Sequence, residues 1–192
     1  MKLKQIFGLL IPVAIFLTGC GECEKLNLSQ AEKDWINHFK KGQKFYYKNI
    51  KGQIDTVEIT ETRDFYTPCN KFELSEYQYE VLDASFVIKS ASKYNNNESL
   101  ISYETSSYKP RVPNIFFGNL GPHRNDLENK MPVAIDTVLA GVKLTSVYYY
   151  ARGLNTENYG EKEYFKNFFW NKQSGLIAYT TVNDELFLRI NE

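Results

Sequence analysis

The sequence predicts a mainly β fold: an antiparallel meander that forms a curled or half-barrel-like sheet, with one amino-terminal helix. The chain contains 14 Tyr and 13 Phe, and aromatic and β-branched residues suit pleated, half-buried strands. After Gly42 the apolar pattern changes to a period of two, in short runs separated by turn signals. No alternation of strands with helices is visible, which argues against a parallel sheet.

The helix is predicted for residues 30 to 40. Ser29 and Glu32 have the spacing of a capping box, in which each side chain bonds the other residue's backbone N–H. The residues that follow place apolar side chains on one face, and a glycine beyond the lysines marks the end of the helix. We expect this helix to pack against the sheet. The apolar face and the stop are Trp35, Ile36, Phe39 and Gly42.

The first strands form a hairpin from "KFYYKNI" and "IDTVEITE", with a turn at residues 51–52. Val57 and Ile59 are predicted to face the core. Next, "ELSEYQYEVLD" and "ASFVIKSAS" are predicted as a pair of strands, and "SLISYETSSY" as a return strand. The proline-rich residues 109–132 are interpreted as a long excursion with a short strand at 114–117.

The last third contains the clearest strand pattern. Two strands are predicted in "VAIDTVLAGVKLTSVYYYARG", hinged at residues 140–141. Three more follow, with turns at residues 171–175 and 183–184. Because side chains alternate along a strand, "SVYYY" sends Tyr148 and Tyr150 to one face and Val147 and Tyr149 to the other. One of these faces is expected to pack in the core.

The first 19 residues have the pattern of a secretory signal peptide. Lys2 and Lys4 give a positive start, residues 6–17 are apolar, and small residues follow. The apolar run is shorter than the roughly 20 residues that span a bilayer. We therefore divide the chain into a signal peptide (1–19), a tether (20–28) and a single β-rich domain (29–192).

The junction "LTGC" resembles the lipobox of bacterial lipoproteins. The resemblance implies that the mature chain begins at Cys20, which carries a diacylglycerol thioether and an acylated amino terminus (palmitate is such an acyl group). Two or more acyl chains anchor a protein stably to a membrane. In such families Asp after the anchor cysteine signals inner-membrane retention. Here the residue is Gly21, which favours the outer membrane and leaves the facing side open.

Two further stretches resemble uncharacterised lipoproteins of the Bacteroidetes type. Residues 168–190, "FFWNKQSGLIAYTTVNDELFLRI", are similar to their closing hairpins, and residues 41–60 to their first hairpin. These likenesses concern the fold. The layout is also similar to that of lipoprotein carriers, whose curled sheet cups an acyl chain. Fold similarity alone does not assign a function.

The cysteines have separate roles in this interpretation. Cys20 and Cys23 have C-x-x-C spacing, but a lipidated sulfur can neither bind zinc nor work as a redox partner. His38 and His123 are too few and too far apart for a zinc site. Cys23 and Cys69 remain, and in an exported chain they are predicted to form a disulfide. The alternative is two free thiols.

No catalytic motif is present, so we expect neither an enzyme nor a cofactor. The leading function is a noncatalytic envelope module that holds a partner protein or a small apolar ligand at the membrane surface. A lipid carrier with a half-barrel cavity is one alternative. The other is an enzyme that uses His123 on its polar loop.

His38 is interpreted as a surface or boundary histidine. The near-neutral charge argues against a nucleic-acid partner.

Overall fold

The structure is a computed structural model of the chain, and it describes residues 23–69, 77–89, 97–104, 113–118, 120–121, 132–154, 156–158 and 164–190. The predicted signal peptide, Cys20 and His123 lie outside the described residues, so their assignments stay predictions.

The described part of the chain is built almost entirely from strands, as the alternating sequence pattern predicts. Its elements are β1 (Glu24–Leu26), α1 (Gln30–Lys33), β2 (Lys44–Asn49), β3 (Ile54–Tyr66), β4 (Tyr77–Lys89), β5 (Asn97–Glu104), β6 (Asn114–Ile115), β7 (Leu120–Gly121), β8 (Ile135–Leu139), β9 (Val142–Ala151), β10 (Glu157–Asn158), β11 (Phe165–Asn171), β12 (Gly175–Thr181) and β13 (Leu186–Ile190).

The main sheet has the strand order β6-β5-β4-β3-β2-β13-β12-β11-β9-β8, and all of these neighbours pair antiparallel. The order contains two meanders, which are joined where the last strand, β13, pairs with β2. β7 and β10 form a separate two-stranded sheet. The prediction of a mainly β, curled antiparallel sheet is confirmed, and the sheet is not closed.

Phe117 shows how strongly the sheet curls. Its ring lies 5.7 Å from that of Phe86 on β4 and 4.6 Å from that of Phe165 on β11, measured between centroids. Four strands separate β4 from β11 in the sheet order. One ring can contact both only if the sheet wraps around it.

The two faces of the sheet bury different clusters. The larger cluster fills the inside of the curl, and it includes Val57 and Ile59, as predicted. The smaller cluster lies on the outer face of β9, β11 and β12 and is centred on Val147, Phe169 and Ala178. The predicted alternation of "SVYYY" is confirmed, because Tyr148 and Tyr150 pack with the inner cluster and Val147 and Tyr149 with the outer one.

The predicted helix is much shorter than residues 30–40. The α-helix covers Gln30–Lys33 and continues as turns through residue 38. Its start was predicted correctly, since the Glu32 carboxylate accepts bonds from the backbone N–H and the hydroxyl of Ser29. Beyond Lys33, several backbone bonds span three residues instead of four. This tighter path places three apolar side chains in the core, namely Trp35, Ile36 and Phe39.

The predicted turn between "ELSEYQYEVLD" and "ASFVIKSAS" was wrong. Tyr77–Lys89 forms one continuous strand, β4, which pairs with β3 over most of its length. Asp83, at the expected turn, is buried beside Arg63 on β3, whose guanidinium bonds the carboxylate at 2.6 Å. The pairing of β4 with β5 shifts its register between residues 84 and 85, but the strand continues past this point.

The described part of the predicted tether belongs to the folded body. β1 pairs with the start of β4 in parallel, from Glu24 with Tyr77 to Leu26 with Tyr79. Leu28 is buried, and its N–H donates to Glu80 Oε2 at 2.7 Å. The prediction treated residues 20–28 as a free tether because polar residues without periodicity give no sign of a three-residue pairing.

Cys23 and Cys69 form a disulfide in the structure, with their Cα atoms 6.0 Å apart. This is the pairing that the sequence analysis favours over two free thiols. The bond joins the start of the described chain to the segment that follows β3. Together with β1, it fixes the amino-terminal segment at this end of the sheet.

Candidate binding groove

A groove of about 470 Å³ lies on the outer face of the sheet. One wall is β8, from which Ile135, Thr137 and Leu139 face the groove. These alternate residues point to the same side of a strand. The volume is within the range of small-molecule sites, roughly 300–1,000 Å³.

A bend in the β8–β9 hairpin shapes this wall. The pairing register shifts between residues 135 and 137 of β8, and Ser146 on β9 has a φ of +51°. The Ser146 N–H donates to Asp136 Oδ1 at 2.9 Å, which holds the bend. Such irregularities re-aim side chains and increase the local twist of a strand. The sequence signal for this feature is weak, because serine rarely marks a positive φ.

The floor of the groove is aromatic and apolar. The rings of Tyr149 on β9 and Phe169 on β11 have centroids 4.9 Å apart, and Leu186 at the start of β13 continues the floor. All three belong to the outer cluster or pack against it. The floor therefore offers apolar surface to a ligand, and its residues belong to β9, β11 and β13.

Three polar side chains complete the lining: Asn167, Thr180 and Asp184. Asn167 Oδ1 is buried and makes no hydrogen bond. Buried polar atoms in folded proteins nearly always have a partner, so this oxygen is an exception, and the protein itself covers it. Asp184 lies at the exposed rim, where its carboxylate accepts a bond from Lys166 Nζ at 2.6 Å and raises the pKa of that lysine.

Among the described residues, many side chains pack together on the inner face of the sheet. Its largest fully buried residues are mostly aromatic. The Tyr179 hydroxyl donates to Asp55 Oδ2 at 2.6 Å, and the Tyr47 hydroxyl donates to the Leu176 carbonyl at 2.9 Å. Burial raises the pKa of both phenols, so they remain protonated donors. These groups hold the core together and do not line the outer-face groove.

His38 lies at the boundary of this core, in agreement with its interpretation. Its ring lies 4.0 Å from that of Phe39, and neither ring nitrogen makes a hydrogen bond. Burial lowers the pKa of His38, the Asp34 carbonyl opposes this shift, and the charge of Arg189 adds to it. A histidine in this setting is a packed side chain that is stable when neutral.

His38 makes stability depend on pH. Because its pKa is lower in the folded chain than in the unfolded chain, its contribution is present above the unfolded value of about 6.5. That contribution is lost as the pH falls toward the folded pKa. We expect the free energy of unfolding in urea to fall more between pH 7.5 and 5 for the native chain than for His38→Gln. Equal pH slopes would contradict this assignment.

The other predicted features have different outcomes. Among the residues that the structure describes, no group of three or more His, Cys, Asp and Glu side chains could hold a metal ion. In the same residues, no helix is long and apolar enough to cross a membrane. The sequence analysis did not find the groove. Its only signal was the second face of "SVYYY", which contributes Tyr149 to the floor.

Comparisons of the chain with protein-family models, curated proteins and solved structures give no match. The groove and the fold therefore carry the functional argument by themselves.

Proposed function

We propose that this chain is a lipid-anchored lipoprotein of the cell envelope that binds a small apolar ligand, without catalysis, in the outer-face groove. The observation that carries the proposal is the aromatic floor of the groove, where the ring centroids of Tyr149 and Phe169 lie 4.9 Å apart. An apolar ligand with one N–H or O–H donor matches this lining, in which the Thr180 hydroxyl and the Asp184 carboxylate are acceptors. The groove needs no metal or cofactor for such binding.

The anchor is proposed from the lipobox at Cys20. A diacylglycerol thioether there would hold the domain on a membrane, and Gly21 favours the outer membrane. The test is the intact mass of protein purified from native membranes. Acyl mass on a chain that begins at Cys20 supports the anchor, and a gain of two hydrogens on reduction supports the Cys23–Cys69 bond. An unprocessed chain without acyl mass would exclude the anchor.

The alternatives draw less support. A carrier needs an apolar cavity inside the curl, where the described residues instead pack aromatic rings such as Phe117 and Trp170. An enzyme that uses His123 would depend on a loop outside the described residues. A protein partner remains compatible with the exposed apolar residues of the β8 hairpin, but the volume of the groove and its aromatic floor favour a small ligand.

The groove is tested with two variants of one strand. Ile135 faces the groove and is 41% exposed, whereas Val138 points away from it and is 63% exposed. N-phenylnaphthylamine is an apolar fluorophore with one N–H group and serves as the probe. We expect Ile135→Glu to weaken probe binding about tenfold or more, since the bound probe would cover the carboxylate and burying a charge is costly, and Val138→Glu to leave it unchanged.

The fluorescence titration uses a chain that begins at residue 20 with Cys20→Ser, so that no acyl chain competes for the probe. Both glutamate variants are first compared by urea unfolding, because both substitutions are at partly exposed positions of an edge strand. Equal probe affinities for Ile135→Glu and Val138→Glu would exclude the groove as the binding site.

A further inference from the structure

The chain is held rigidly from Cys23 onward. The disulfide, the pairing of β1 with β4 and the bond from Leu28 to Glu80 follow one another within six residues. Two side-chain contacts add to these: Lys33 Nζ donates to Glu80 Oε1 at 2.5 Å, and the Tyr66 hydroxyl donates to Asn27. Residues 23–28 are therefore part of the folded domain, and they do not act as a spacer between the domain and the proposed anchor.

We propose that the end of the domain that carries the Cys23–Cys69 disulfide lies in the lipid headgroup layer of the membrane. The inference rests on the proposed acylation of Cys20. Three residue steps separate Cys20 from Cys23, and they span at most about 11 Å when fully extended. The polar layer of a bilayer is roughly 5–8 Å thick on each side. The disulfide must then lie in or just above this layer.

The surface at this end carries aromatic and basic side chains, with the exposed acidic residues Glu24 and Asp64 beside them in the sequence. Phe65 is 41% exposed, Tyr66 is half-buried, and both lie at the end of β3. Lys25 Nζ lies 4.7 Å from the centroid of the Tyr66 ring, and the Arg63 guanidinium lies 5.7 Å from that of Phe65. Aromatic rings and long basic side chains are the residues that place apolar parts among lipids and keep polar ends in water.

The same geometry directs the groove away from the bilayer. β3 has 13 residues, so its first residue, Ile54, lies up to about 40 Å from its last. The turn before Ile54 is tied to the β12–β13 turn by Lys51 Nζ and Glu185, 2.6 Å apart. Asp184, at the rim of the groove, belongs to that turn. The short link would thus present the groove to the aqueous side.

The test places one indole at the end of β3 and another in the turn that precedes this strand. Phe65→Trp puts one at the proposed lipid surface, and Ile50→Trp, at a site that is 90% exposed, is the matched control at the far end. Both acylated full-length variants are reconstituted in vesicles of phosphatidylethanolamine and phosphatidylglycerol that contain lipid with a nitroxide headgroup. Emission from Trp35 and Trp170, measured on the parent chain, is subtracted.

We expect the Phe65→Trp indole to lose most of its emission to the nitroxide lipid, and the Ile50→Trp indole to lose little. A Gly-Ser linker of about ten residues inserted between Glu22 and Cys23 adds roughly 18 Å of reach and should abolish this difference. Quenching that persists with the linker would overturn the argument from the short link.

Two failures can be distinguished. A chain without acyl mass that does not sediment with vesicles overturns both the proposed anchor and this inference. An acylated chain that sediments, but whose indole at position 65 is quenched no more than the one at position 50, overturns this inference alone.

Discussion

Replacing Phe117 with alanine is expected to lower the free energy of unfolding by about 4 kcal/mol, within the usual range for a buried Phe→Ala change. Phe117 is fully buried and lies against rings on both sides of the curl. The remaining cavity could close only if β4 and β11 moved together, and pairing with their neighbouring strands opposes that movement. Urea unfolding of the purified domain measures the loss.

Phe65→Ala is the matched control. It removes the same atoms from a side chain that is 41% exposed, so we expect a loss of less than about 1 kcal/mol. Phe117→Leu separates ring contacts from volume and should cost less than alanine, because much of the cavity stays filled. A Phe117→Ala variant that lost no more stability than Phe65→Ala would contradict the role of this ring as the centre of the curl.

Strand content could be predicted because most of these strands carry their own alternation. Val57 and Ile59 recur every second residue, and both are buried. The β8–β9 hairpin has its turn at residues 140–141, where both residues have positive φ. Local patterns of this kind need no knowledge of the rest of the fold.

Features that depend on distant partners could not be predicted. β4 continues through Asp83 because Arg63, twenty residues earlier, pairs with that carboxylate. Residues 23–28 are fixed by β4 and Glu80, more than fifty residues away from Leu28. The α-helix ends at Lys33 although Trp35, Ile36 and Phe39 have the spacing of one helix face, so their pattern does not distinguish a longer helix from the turns that are observed.

The groove could not be predicted for a related reason. Asn167 is an ordinary polar residue in the sequence, and only the fold brings it into the same groove as the residues of β8. The bend that brings β8 there depends on Ser146 at a positive φ, a conformation that serine seldom adopts. Polar residues on the outer face of a sheet are usually solvated, so sequence alone gave no reason to single them out.

Replacing both Cys23 and Cys69 with serine is expected to lower the free energy of unfolding by about 4 kcal/mol. The bond spans 46 residues of sequence, and the chain-entropy model assigns a loop of that size about this stabilisation. The native chain in reductant should lose the same amount in urea unfolding, while the double variant should not respond to reductant. A native chain that reductant leaves unchanged would show that the bond contributes little.

The disulfide also determines how far the domain can stand from its proposed anchor. Without it, the next contacts that hold the chain are the three pairs of β1 with β4 and the bond from Leu28 to Glu80. A three-residue strand pairing at the end of a sheet opens readily. Reduction should therefore lengthen the link from Cys20 to the first fixed residue, from three residues toward eight. It should also weaken the quenching of the Phe65→Trp indole by the nitroxide lipid before the domain unfolds. Quenching that fell only together with global unfolding would show that β1 and Glu80 hold the segment without the disulfide.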